Sequence, residues 1–139
     1  MPTIKPRVLE FDVSVDRERS AHSGRGGAPI PLADAWSAEH LLLAALVRCS
    51  LTSFDHHVAK AGLSATGSGH GRGVVAKRDG DGFYAFVDVE ARIEVEVDPA
   101  PPAAVAQDLV AKAERGCYIG NSLAVKPRYH WKVNGQEVA

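Results

Sequence analysis

Cysteine, methionine and tryptophan are scarce in this chain, with two, one and two among 139 residues. Two cysteines are too few for a disulfide-stapled scaffold. In a reducing cytosol such a pair is more often catalytic or metal-binding than structural. Charge of one sign is lacking too: 16 Lys and Arg stand against 17 Asp and Glu, for a net charge of −1. There is no basic run and no interleaving of aromatics with arginine, which argues against a nucleic-acid partner. The longest apolar run goes only from Leu41 to Val47, far short of the roughly 20 residues a membrane span requires. The first residues, Met1-Pro2-Thr3-Ile4-Lys5-Pro6-Arg7, hold no apolar signal region, so a cytoplasmic location is expected. The length suits a single domain over residues 1–139 with a core of its own.

The patterning predicts an α+β domain in the order β-β-α-β-β-α-β. Leu9, Phe11, Val13 and Val15 alternate with polar residues, the period of a half-buried strand. The glycine- and proline-bearing stretch from Ser20 to Pro31 reads as a turn followed by a short strand around Ile30 and Leu32. Ser37 suits an N-cap and Glu39 the first turn of a helix running from Ala38 to about Ala61, with Gly62 as its stop. Through Leu51 that helix is apolar nearly all round, which marks it as a core element.

Gly67-Ser68-Gly69-His70-Gly71-Arg72-Gly73 fits neither dinucleotide nor P-loop spacing and reads as a flexible entrance to a strand at Val74-Val75. Asp79-Gly80-Asp81-Gly82 signals a hairpin. After it, Phe83, Ala85, Val87, Val89, Ala91, Ile93, Val95 and Val97 share one strand face, opposite an acidic face relieved by Arg92. Pro99, Pro101 and Pro102 lead into a helix with Val105 and Leu109 on its stripe and Gly116 at its end. Leu123, Val125, Tyr129, Trp131 and Val133 form a last strand, with Pro127 pointing to an edge or a bulge. Few strands remain to cover the central helix on every side, so a second subunit is expected to complete the core.

Cys49 lies within the central helix and Cys117 just after the second one. A thiolate that attacks a peroxide becomes a sulfenic acid, which a second thiol condenses to a disulfide. Cys49 is some three turns from its helix start, beyond the reach of the helix dipole, and burial opposes its ionisation. It therefore needs a cation. Arg48 points away along the helix; Arg17, Arg19 and Arg25 cluster after the first strand and are better placed.

Ser37-Ala38-Glu39-His40-Leu41-Leu42-Leu43-Ala44-Ala45, leading to Cys49 and followed by a late second cysteine, resembles the OsmC/Ohr family of thiol peroxidases. In that family a glutamate stands ten positions before the reactive cysteine, as Glu39 does before Cys49. The resemblance implies the OsmC-like fold, with antiparallel strands around a long buried helix and an intertwined dimer. It implies Cys49 as the peroxidatic and Cys117 as the resolving cysteine. Glu39 would orient an arginine, Arg19 fitting best and Arg25 next. Organic hydroperoxides are the implied substrates and an external dithiol the reductant, with no cofactor or metal. Ten helical residues span about 15 Å. Glu39 would then serve the Cys49 of a partner subunit, unless the helix is sharply kinked. The chain departs from the family pattern at Ala38, where proline is usual, at Tyr118, where proline often follows the cysteine, and at Arg48, which could pair with Asp55 or Glu114.

Other chemistries have weaker support. His56 and His57 point apart on a helix and lack metal-ligand spacing. Ser50 and Ser53 lie near histidines without a nucleophile-elbow motif. Trp36, Phe54 and Trp131 suit core or dimer contacts. The alternative function is an OsmC-fold protein that binds an apolar small molecule without peroxidase turnover.

Overall fold

The computed structural model describes residues 7–31 and 33–138. They form two compact units, one ending at Ser37 and one beginning at Ala38.

In the first unit, β1 (Val13–Val15) pairs antiparallel with β2 (Ala21–Ser23). Asp16 fastens the turn between them. One carboxylate oxygen accepts the Glu18 and Ser20 N–H groups at 2.9 and 3.0 Å, and the other meets His22 Nε2 at 2.9 Å. The His22 contact is the main reason that the Asp16 carboxyl ionises below its ordinary range. The strand expected from Leu9 to Val15 is thus shorter, and its apolar row is exposed rather than half-buried, with Phe11 at 71% and Val13 at 66%. Alternation marks a face but not what covers it, and a two-stranded ribbon has no second layer to bury that face. Ile30 makes an isolated bridge to Ala21 instead of a strand; Leu32 lies outside the described residues.

The second unit begins with α1 (Ala38–Lys60), unbroken over its length. It continues through β3 (Ser64–Lys77), β4 (Tyr84–Asp98), α2 (Ala103–Arg115), α3 (Tyr118–Ser122), β5 (Arg128–Val133) and β6 (Gln136–Val138). The four strands form one sheet in the order β3-β4-β5-β6. β5 runs parallel to β4, so α2 and α3 supply the crossover that a parallel pair needs.

The glycine-rich stretch is not a loose entrance but the middle of β3, paired residue by residue with β4. Its alternate glycines turn one face toward α1, where side chains would collide. A Cβ on Gly69 would stand 2.6 Å from Val47, one on Gly71 3.1 Å from Val47, one on Gly73 3.2 Å from Leu43, and one on Gly67 3.1 Å from Leu51. Leu43, Val47 and Leu51 recur every four residues and so share one helix face. That face lies directly on strand backbone.

On β4, Val89, Ala91, Ile93, Val95 and Val97 are buried as the alternation predicts. A register shift opposite Val74 and Val75 changes the phase. Phe86 turns to the core and Val87 is left exposed, because the extra residue of a bulge moves later side chains to the other face. Arg128 neutralises the acidic face, reaching Asp88 at 2.9 Å and Glu90 at 3.1 Å.

α2 buries Ala106, Leu109, Val110 and Ala113. Val105, expected on that stripe, is partly exposed. It lies four positions before Leu109, but the buried stripe passes through Ala106 and Val110 instead. Phe54 of α1 packs its ring 5.3 Å from that of Trp131. Each such fully buried large side chain contributes about 1.5–3 kcal/mol.

Candidate active site

α1 carries two neighbouring side chains with different surroundings. Leu46, Ser50, Phe54 and Val58 form its buried stripe, so Ser50 has no exposed surface, whereas Cys49 beside it is half-buried. The Ser50 hydroxyl donates to the Leu46 carbonyl at 2.8 Å and lies 3.4 Å from Cys117 Sγ. One turn further on, Ser53 donates to the Ala113 carbonyl at 2.9 Å. This bond ties α1 to the end of α2.

Gly116 caps α2, and Cys117 follows as the N-cap of α3. Its side chain is fully buried, and its Sγ accepts the Gly120 N–H at 3.4 Å. Asn121 Nδ2 donates to the Arg115 carbonyl at 2.9 Å and closes the loop around the cysteine. A cysteine capping a five-residue helix is therefore held from three sides, by α1, by its own turn and by the end of α2.

Cys49 faces the start of α3. Burial pushes its thiol above the ordinary value, the Ile119 and Tyr118 backbone N–H groups pull it down, and the Cys117 thiol raises it further. Burial wins, so within this unit Cys49 favours the neutral thiol. Both cysteines are free thiols. Two thiols distant in sequence thus meet beside the backbone N–H groups at the start of α3.

The second unit brings Cys49 and Cys117 together but not Glu39 and Cys49. Glu39 is exposed in the first turn of α1, and the unbroken helix sets it about 15 Å along the axis from Cys49. Arg19 and Arg25 belong to the first unit. Arg19 occupies the tight turn after β1 with φ of 69°, and the Arg25 guanidinium stacks 5.3 Å above the Phe11 ring. Of the two partners suggested for Arg48, Asp55 and Glu114, the Glu114 carboxylate accepts the Trp131 indole N–H at 3.0 Å. The His56 and His57 rings meet edge to face at 5.1 Å. Among the described residues no group of three His, Cys, Asp or Glu side chains is placed to hold a metal ion.

Sequence reasoning set Ser50 aside as a nucleophile, read Tyr129 only as a strand residue and did not single out Gly120 for the site. A Cβ on Gly120 would collide with the Tyr129 hydroxyl and stand 3.4 Å from Cys117 Sγ. The Tyr129 phenol is held well above its ordinary pKa, first by burial and then by Cys117, with the Ser50 hydroxyl pulling the other way. The signal for Ser50 was present: a lone serine on an otherwise apolar helix stripe has to find a polar partner inside.

The OsmC-like protein family matches residues 31–132. The chain belongs to the OsmC-like family. An OsmC-like protein of unknown function from Vibrio cholerae superposes with a TM-score of 0.76 at 16% identity, covering 90% of this chain and 100% of its own. An OsmC-like protein from Mycoplasma pneumoniae gives 0.70 at 11% identity, with coverages of 93% and 99%. The organic hydroperoxide resistance protein OhrB of Bacillus subtilis gives 0.59 at 15% identity, with coverages of 91% and 98%. At such identities these likenesses establish the OsmC-like α+β fold. No curated protein sequence matches the chain significantly. Among the described residues no helix is long and apolar enough to cross a membrane.

Proposed function

We propose that this OsmC-like protein is a thiol-dependent peroxidase that reduces organic hydroperoxides. The observation that carries the reading is the meeting of Cys49 with Cys117 across α1 and α3, two free thiols near enough for the Cys117 side chain to act on Cys49. In this mechanism the Cys49 thiolate attacks the outer peroxide oxygen. The O–O bond breaks, the leaving alkoxide takes up the proton that the Cys49 thiol gave up and departs as an alcohol, and Cys49 becomes a sulfenic acid. Cys117 sulfur then bonds to Cys49 sulfur, the S–O bond breaks, and the departing hydroxide leaves as water with the Cys117 proton. An external dithiol in a reducing cytoplasm restores both thiols.

Because burial keeps Cys49 neutral within its own unit, the reaction needs a cation from elsewhere. Arg19 or Arg25 fills that role, stabilising the thiolate and the developing oxygen charge. Glu39 of a second copy orients that arginine. The exposed apolar row Leu9, Phe11, Val13 and Val15, with Leu41 on α1, supports a homodimer, since such a row is a natural subunit contact. Consumption of an organic hydroperoxide by the reduced protein with a dithiol tests the reading. Turnover that Cys49→Ser abolishes is expected; equal turnover by that variant would refute it.

A second reading is a small-molecule binding protein of the same fold. It draws on the burial that opposes Cys49 ionisation and on the fully buried Cys117, which also suit inert packing thiols. Under it, native Cys49 resists alkylation.

A further inference from the structure

Cys117 sits in a polar niche inside an otherwise apolar core, and the peroxidatic step leaves that niche unused. Ser50 Oγ stands 3.4 Å from the sulfur and the Gly120 N–H donates to it from 3.4 Å. The Tyr129 hydroxyl closes the niche at Gly120, at the spot where a Cβ would meet both the phenol oxygen and Cys117 Sγ. Ser50 has only one proton, and at 2.8 Å it goes to the Leu46 carbonyl. While Cys117 is a thiol, its S–H is therefore the donor toward Ser50. The Leu46 carbonyl is an intrahelical acceptor, so the serine can release it without orphaning a backbone group. As the Cys117 proton leaves, the hydroxyl can turn and donate to the sulfur, and the Tyr129 O–H, on the same side of Gly120 as that sulfur, is placed to turn toward it as a second donor.

We propose that Ser50 and Tyr129 are positioning residues for the resolving step: their hydroxyls, with the Gly120 N–H, hold the Cys117 sulfur toward Cys49 and stabilise it as a thiolate. A buried sulfur cannot ionise at useful rates among apolar side chains alone. Hydrogen bonds to a charged acceptor are the stronger kind. In the condensation the Cys117–Cys49 bond forms as the sulfenic S–O bond breaks, and the Cys117 proton ends on the departing hydroxide as water. The inference rests on the peroxidase reading, since without a sulfenic acid at Cys49 there is nothing to resolve.

The test follows the two steps separately in Ser50→Ala and Tyr129→Phe, each made in the full chain. One equivalent of an organic hydroperoxide is added, and trapping by dimedone reports the sulfenic acid while intact mass reports the disulfide. We expect sulfenic acid to form at the wild-type rate in both variants. Disulfide formation should slow about tenfold or more per hydroxyl, and its pH profile should move to the alkaline side. Unchanged disulfide rates and pH profiles in both variants, with wild type forming its disulfide normally, would overturn this inference and leave the peroxidase reading standing. Equal slowing of both steps would also overturn it, as that marks a general packing role. Absence of sulfenic acid and disulfide in wild type would remove the peroxidase reading and this inference with it. If one variant does not fold, the other decides the question.

Discussion

Cys49 rides on the middle of a 23-residue helix with part of its side chain open, whereas Cys117 closes the end of a helix turn and has no exposed surface. Cys49 sees backbone N–H groups from one side and is otherwise desolvated. Cys117 has the Ser50 hydroxyl oxygen 3.4 Å from its sulfur and the Gly120 N–H already donating to it. Under the proposed peroxidase reading, the comparison teaches that one reaction asks different things of two thiols. The attacking thiol has to be reached by substrate and activated from outside its own unit. On that reading the resolving thiol, buried from the start, has to be held in place and stabilised as it gives up its proton.

The largest effect that separates them comes from exchanging each sulfur for oxygen. Cys49→Ser should lose peroxide consumption altogether in a coupled dithiol assay. Cys117→Ser should still form one equivalent of sulfenic acid while losing turnover. It should also melt earlier, by about 1–3 kcal/mol, because a stronger hydrogen-bonding group is buried with imperfect partners. If the two variants behave alike, the assigned division of labour is wrong.

Next comes the cation. Removing the arginine that serves Cys49, Arg19→Ala or Arg25→Ala, should lower peroxide consumption by about 10²–10³-fold. The sign of the accompanying pH shift follows from the direction of the Cys49 shift. Burial raises the thiol's pKa, and a nearby cation opposes that. Losing the cation therefore moves Cys49 alkylation to higher pH. The arginine whose removal changes neither rate nor profile stands outside the site. Removal of either should leave Cys117 unaffected.

A smaller effect reports on how α1 presents Cys49. Gly69→Val places a side chain where a Cβ alone would be 2.6 Å from Val47. It should cost about 1–3 kcal/mol by overpacking, read as a lower melting temperature. Gly80→Ala adds its methyl to open space in the hairpin turn and should change stability by less than about 0.5 kcal/mol.

The strands around this site show what the sequence made legible. β4 was plain because Val89 to Val97 alternate with charges, and its buried face contacts the core as that pattern demands. α1 and the Gly116 end of α2 were also plain, since a long apolar helix and a glycine stop are local signals. β3 was not legible, because glycine carries no side chain to alternate. Its strand character comes from pairing with β4 and from α1 lying on its bare face. The β5–β6 hairpin was overlooked although Asn134-Gly135 is a strong turn signal, with both residues at positive φ. At the site, the two cysteines stood out by rarity alone. Ser50 and Tyr129 did not, because their meaning depends on α1 and β5 meeting at Cys117.

The most direct measurement is the intact mass and free-thiol count of the protein before and after one equivalent of an organic hydroperoxide. The account predicts a loss of about 2 Da with both thiols gone, the signature of an intramolecular disulfide. Two thiols still free at unchanged mass would contradict it and turn Cys49 and Cys117 into packing residues of a binding protein.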